Sequence, residues 1–76
     1  MSRLSCTFKR FIQILLAHGF KEVRHNGTSH RRYRGEVGGE IRLVTVAYHN
    51  VTDHILPDTL ASMIRQSGLK KKLFRN

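Results

Sequence analysis

The residues best suited to chemistry lie in one short basic segment, 24–34, of a 76-residue chain. Within it, His30 is followed closely by three arginines and by Tyr33. Guanidinium groups bind phosphate through paired hydrogen bonds and stabilise the charge that develops on it during cleavage. An imidazole gives or takes a proton near neutral pH. The combination indicates a phosphodiester ligand or substrate, with His30 as the candidate catalytic group.

Alternation along an extended strand predicts which of these side chains share a face. One face carries His30, Arg32 and Arg34. The other face carries Ser29, Arg31 and Tyr33. Because Ser29 and His30 point in opposite directions, the pattern disfavours a serine–histidine nucleophile pair. Composition alone favours a simpler interpretation, in which the arginine-rich strand binds nucleic acid without cleaving it.

The charge balance indicates the kind of partner. Fourteen Lys and Arg against five Asp and Glu give a formal net charge of +9. The counterpart of such an excess is a polyanion: nucleic acid, an acidic protein or an anionic membrane surface.

Cysteine content and hydropathy exclude several classes of protein. Cys6 is the only cysteine, which excludes a disulfide-stapled domain and a thiolate-based zinc site. Few carboxylates accompany the histidines, so we expect no metal and no cofactor. The uncharged apolar run 11–17 is far shorter than the roughly 20 residues of a membrane span, and no signal peptide is recognisable. We therefore expect a cytoplasmic protein that does not bind membranes.

Two segments have the periodicity of amphipathic helices. The first carries apolar residues at positions 4, 8, 11, 12 and 15, with Ser5 or Thr7 as the N-cap and Gly19 at its end. The second opens at Pro57 and has an apolar stripe at positions 60, 63, 64 and 69, with Gly68 as terminator.

Between the helices, the pattern predicts three strands. Residues 20–25 and 28–34 form a hairpin about the turn Asn26–Gly27, because both turn residues tolerate positive φ. A second turn at 35–39 leads to a strand over 41–48, which is rich in β-branched residues. This third strand carries few charged residues, so we expect it to be the central or best-buried strand.

These elements predict an α+β fold in the order α-β-β-β-α. Neither helix can bury its apolar stripe alone, so we expect both to pack on one face of a three-stranded antiparallel sheet. The other face stays open, as in double-stranded-RNA-binding domains. The whole chain, 1–76, forms a single domain, and residues 70–76 are expected to be a flexible basic tail.

The chain also resembles the HicA toxins along most of its length, from residue 11 to residue 69. The residues that carry the resemblance are Gly19–Phe20, Val23–Arg24, the turn Gly-Thr-Ser-His30 with Tyr33, Val44-Thr-Val46 with His49, Thr59–Leu60 and Ile64-Arg-Gln-Ser-Gly-Leu69. The chain departs from the family pattern at three positions: Thr28 stands where the family often has glycine, Ala47 where proline is common, and Asp58 where glycine is common.

The resemblance implies a fold like that of double-stranded-RNA-binding domains and an endoribonuclease activity that cleaves messenger RNA. The family's catalytic histidine, in a Gly-Ser-His motif, falls on His30. A HicB-type antitoxin would bind the toxin and mask this active site.

The expected mechanism is metal-independent, with the RNA's own 2′-hydroxyl as nucleophile and His30 as general base or general acid. Candidates for the second acid or base are Tyr33, His25 and His49. The candidate RNA-binding residues are Arg24, Gly27, Thr28, Ser29, Arg31, Arg32, Arg34, Lys70, Lys71 and Lys72. We expect the ligand to be single-stranded or messenger RNA.

Three other interpretations stay open at this point. A non-catalytic RNA-binding module of the same fold would share the charge and the strand pattern. A small DNA-binding protein is disfavoured, because the second helix has few polar residues on its outer face. An interaction protein would use the basic face only to bind an acidic partner.

Overall fold

The computed structural model of the protein describes residues 5–23 and 30–75. Its elements follow the predicted order. They are helix α1 (Phe8–Ala17), strands β1 (Lys21–Val23), β2 (His30–Val37) and β3 (Glu40–Ala47), helix α2 (Pro57–Ser67) and a 3₁₀ helix (Lys71–Phe74). The predicted α+β class is confirmed. The predicted turn at Asn26–Gly27 lies outside the described residues.

The three strands form one antiparallel sheet in the order β1-β2-β3. The central strand is therefore β2, and the expectation of a central third strand is wrong. Nevertheless, β3 contributes Val44 and Val46, which are fully buried. These two valines face the helices.

The core lies between the helices and one face of the sheet. Along β2 and β3, buried and exposed residues alternate, as expected when only one face is covered. α1 contributes Phe11 and Leu15 to this core. The other buried apolar side chains include Tyr33, Val44, Val46, Leu60, Met63 and Ile64.

Local sequence signals account for the helix ends. Thr7 caps α1, because its side-chain oxygen accepts a hydrogen bond from the Arg10 backbone N–H at 3.2 Å. Pro57 begins α2, and Gly68 ends it in the left-handed conformation, with φ of 71°. Both predicted helix terminators, Gly19 and Gly68, have positive φ.

The turn between β2 and β3 is shorter than predicted. β2 continues through Gly35 to Val37, and the chain reverses at Gly38 and Gly39, whose φ angles are 59° and 83°. Gly35 is thus a strand residue and not a turn residue, and the ring of Phe20 packs against it where a side chain would otherwise lie.

The C-terminal segment differs from the flexible tail that we expected. Its 3₁₀ helix packs against α1, and Phe74 is fully buried. The rings of Phe74 and Phe11 are stacked with their centroids 4.9 Å apart. The three lysines favoured a solvated tail, but one aromatic side chain anchors the segment to the core.

No helix in the described ranges combines the length and apolar character needed to cross a membrane.

Candidate functional site

The open face of the sheet presents a row of basic side chains from β2. His30, Arg32 and Arg34 are all exposed, whereas Tyr33 and Gly35 between and after them are buried. Alternate residues of a strand lie about 7 Å apart. The strand thus holds one imidazole and two guanidiniums in a line on the face opposite the helices, as the alternation predicted.

The neighbouring strands add to this row. Lys21 of β1 is the register partner of Arg34, and Val23 is the partner of Arg32. Like charges at directly paired positions repel each other. Neither Arg32 nor Arg34 forms a salt bridge with a residue in the described ranges. Lys21, Arg32 and Arg34 therefore create a local positive potential that favours binding of a polyanion. Lys21 was not among the predicted site residues, although the alternation in 21–23 could have indicated that it lies on the open face.

His30 lies at the first position of β2. Its register partner on β3 is Ala47, whose small side chain leaves the imidazole accessible from the open face. His49 follows Ala47 by two residues, in an exposed position at the same end of the sheet.

Tyr33 lies on the opposite face and takes part in a different cluster. Its hydroxyl donates a hydrogen bond to the Glu22 carboxylate at 3.3 Å. Burial, and after it the charge of Glu22, raises the pKa of Tyr33 to about 12. A phenol that holds its proton this firmly, on the face away from His30, is poorly suited to proton transfer in the same reaction.

Arg31 also belongs to this opposite cluster. Its guanidinium donates to the Glu22 carboxylate at 2.9 Å and lies over the ring of Tyr48, 5.7 Å from the centroid. The hydrogen bond to Glu22 raises the pKa of Arg31. The charge of this arginine is therefore engaged within the fold, and its role in RNA binding stays a prediction. The sequence pattern did not predict Glu22 or Tyr48 as neighbours of Arg31, because only the strand register brings them together.

The three predicted lysines of the C-terminal segment are not part of the open face. Lys70, Lys71 and Lys72 are exposed on the segment that packs against α1. Outside the described residues lie Arg24, His25, Gly27, Thr28 and Ser29. In residues 5–23 and 30–75, no three His, Cys, Asp or Glu side chains converge as a metal site would need.

Comparison with known proteins supports the resemblance seen in the motifs. The family model for the HicA toxin of bacterial toxin–antitoxin systems matches residues 8–69. This range begins with α1 and contains the whole sheet and α2. No curated protein and no solved structure matches the chain significantly. The match covers most of the 76 residues, and the chain therefore belongs to the HicA toxin family.

Proposed function

We propose that this toxin is a metal-independent endoribonuclease that cleaves messenger RNA with His30 as its catalytic group. The observation that carries the proposal is the alignment of His30, Arg32 and Arg34 on the exposed face of β2. A proton-transfer group and two phosphate-binding groups then face the same ligand. Such a set meets the minimal needs of phosphodiester cleavage.

The reaction requires two proton transfers. A base removes the proton of the RNA 2′-hydroxyl, and that oxygen attacks the adjacent phosphorus. The bond from phosphorus to the 5′-oxygen breaks, and an acid donates a proton to the leaving oxygen. The products are a 2′,3′-cyclic phosphate and a 5′-hydroxyl. DNA lacks the 2′-hydroxyl and is not cleaved.

His30 supplies one of these transfers, and His49 is the best candidate for the other among the described residues. It is exposed and follows Ala47, the register partner of His30, by two positions. Tyr33 is a weaker candidate because it is buried on the other face with a raised pKa. His25 lies outside the described residues.

Arg32, Arg34 and Lys21 bind the phosphates that flank the scissile bond. Guanidinium groups bind phosphate oxygens through paired hydrogen bonds and neutralise charge that grows in the transition state. This positive charge performs the electrostatic task, which makes a metal unnecessary in the proposed reaction. The predicted contacts of Lys70, Lys71 and Lys72 would extend binding to RNA beyond the sheet.

The test compares purified wild-type protein with His30→Ala and His49→Ala on a labelled transcript. We expect His30→Ala to lose about 10²–10⁴-fold in rate, the usual effect of removing a positioned proton-transfer group. His54→Ala is the matched control, because His54 is exposed and lies outside the proposed site. Cleavage should persist in excess chelator, and the products should carry a 2′,3′-cyclic phosphate.

Equal rates for wild type and His30→Ala would contradict the assignment. Tight binding of the transcript without any product would instead identify a non-catalytic RNA-binding module. Loss of cleavage in chelator would contradict metal independence.

The partner in this proposal is a HicB-type antitoxin that covers the open face. What supports this partner is that the family consists of toxins from bacterial toxin–antitoxin systems. A bound antitoxin would also stabilise the small domain by mass action.

A further inference from the structure

The open face has a second, apolar part that the proposed nuclease reaction does not use. Ile41 and Leu43 occupy successive positions of β3 on this face, and their side chains are 53% and 52% exposed. Their register partners on β2 are Glu36 and Arg34. We call Ile41 and Leu43 the aliphatic strip; it borders the basic row.

Nucleic acid gains little from the aliphatic strip. Proteins bind unpaired bases by stacking them on aromatic rings or guanidinium planes, and they bind the backbone with cations and hydrogen-bond donors. The side chains of Ile41 and Leu43 offer neither. Their exposed apolar area is instead suited to aliphatic side chains of another protein, whose burial is favourable.

The surroundings of the strip define the chemistry of that protein. A surface groove is lined by Ile41, by the cations Lys21 and Arg34, and by the carboxylates Glu22 and Glu36. Glu22 is paired with Arg31, so the groove keeps a positive excess. A second copy of this chain, with its formal charge of +9, would bring the same cations against each other. A partner with aliphatic side chains flanked by carboxylates satisfies both the strip and the cations.

We propose that the aliphatic strip anchors an acidic protein partner and that RNA binds to the basic row without it. The inference rests on the proposed function in taking the antitoxin of this toxin as that partner. The antitoxin and RNA would then both contact Arg34. Only the antitoxin would depend on Ile41 and Leu43. Burial of well-packed aliphatic anchors commonly dominates the affinity of an interface.

The experiment uses Ile41→Thr, Leu43→Thr and the double variant, because threonine keeps a high preference for strands. The control is Leu16→Gln, since Leu16 is 51% exposed but lies on α1, in the layer away from the open face. Calorimetry measures binding of the purified cognate antitoxin. Fluorescence anisotropy and a labelled transcript measure RNA binding and cleavage, and circular dichroism checks the fold.

We expect the double variant to bind the antitoxin at least about tenfold more weakly, with RNA affinity and cleavage within twofold of wild type. The Leu16→Gln control should match wild type in every assay. Unchanged antitoxin affinity, or no antitoxin binding by wild type, would overturn the inference. An equal loss of RNA affinity would also overturn it, since the strip would then belong to the RNA interface.

Vesicles of anionic phospholipid provide a further comparison. If wild type binds these vesicles, the double variant does not, and the two bind the antitoxin equally well, the strip belongs to a lipid-binding surface. That result would overturn the inference. If wild type cleaves no RNA while the double variant still loses antitoxin affinity, the proposed nuclease function fails and this inference stands.

Discussion

Gly35 of β2 lies directly beneath the ring of Phe20, so that a Cβ at this position would fall 2.6 Å from the Phe20 Cγ. Phe20 is only 1% exposed. The contact fixes the chain just after α1 against the middle of the central strand. It explains why a glycine is found inside β2, where glycine is ordinarily unfavourable.

Gly35→Ala should therefore destabilise the protein by about 1–3 kcal/mol, as expected for overpacking in a core. Urea unfolding measures the change. Phe20→Leu removes ring atoms, so the pair Gly35→Ala and Phe20→Leu should cost less than the sum of the single variants. Strict additivity would show that the two residues do not interact.

The two faces of β2 could be predicted because alternation is a local property of the sequence. It correctly grouped His30 with Arg32 and Arg34 and separated them from Tyr33. Gly35 could not be distinguished from a turn glycine, since the contact that holds it in β2 comes from Phe20, 15 positions earlier.

The site was only partly predictable for the same reason. The pairing of Arg31 with Glu22 depends on the register of β1 against β2, which the sequence pattern does not specify. Likewise, nothing local shows that Phe74 packs on Phe11, 63 positions away. Long-range contacts decide which members of a charged cluster remain available to a ligand.

Phe74→Ala should destabilise the protein by about 3–5 kcal/mol, because a fully buried phenylalanine is replaced by a cavity. Thermal unfolding followed by circular dichroism measures the loss. The control is the pair Lys71→Ala and Lys72→Ala, whose exposed side chains should matter by about 0.5 kcal/mol or less. A small effect of Phe74→Ala would mean that the C-terminal segment is not anchored.

Tyr33 should make stability fall at alkaline pH. Its pKa is about 12 in the folded protein against an ordinary value of 10, so the folded state retains the proton more firmly. This contribution is fully present below pH 10 and is lost as the pH rises towards 12, by an amount on the order of 2 kcal/mol.

The measurement for Tyr33 compares urea unfolding of wild type and Tyr33→Phe from neutral pH to pH 12. The phenylalanine variant should lack this part of the decline, whereas the lysines affect both proteins equally. Parallel curves would show that Tyr33 ionises in the folded protein as it does in the unfolded chain.

Arg32→Gln and Arg34→Gln should weaken RNA binding and reduce its dependence on salt. Each lost contact with a single-stranded phosphate lowers the slope of log affinity against log salt concentration by about 0.7, so the double variant should lose about 1.4. Fluorescence anisotropy with a labelled single-stranded RNA gives both affinity and slope. Arg65→Gln is the matched control, because Arg65 is an exposed arginine on α2 and lies outside the open face. If the control changed the slope as much as the β2 variants do, the positive charge of the whole protein, and not the row on β2, would account for RNA binding.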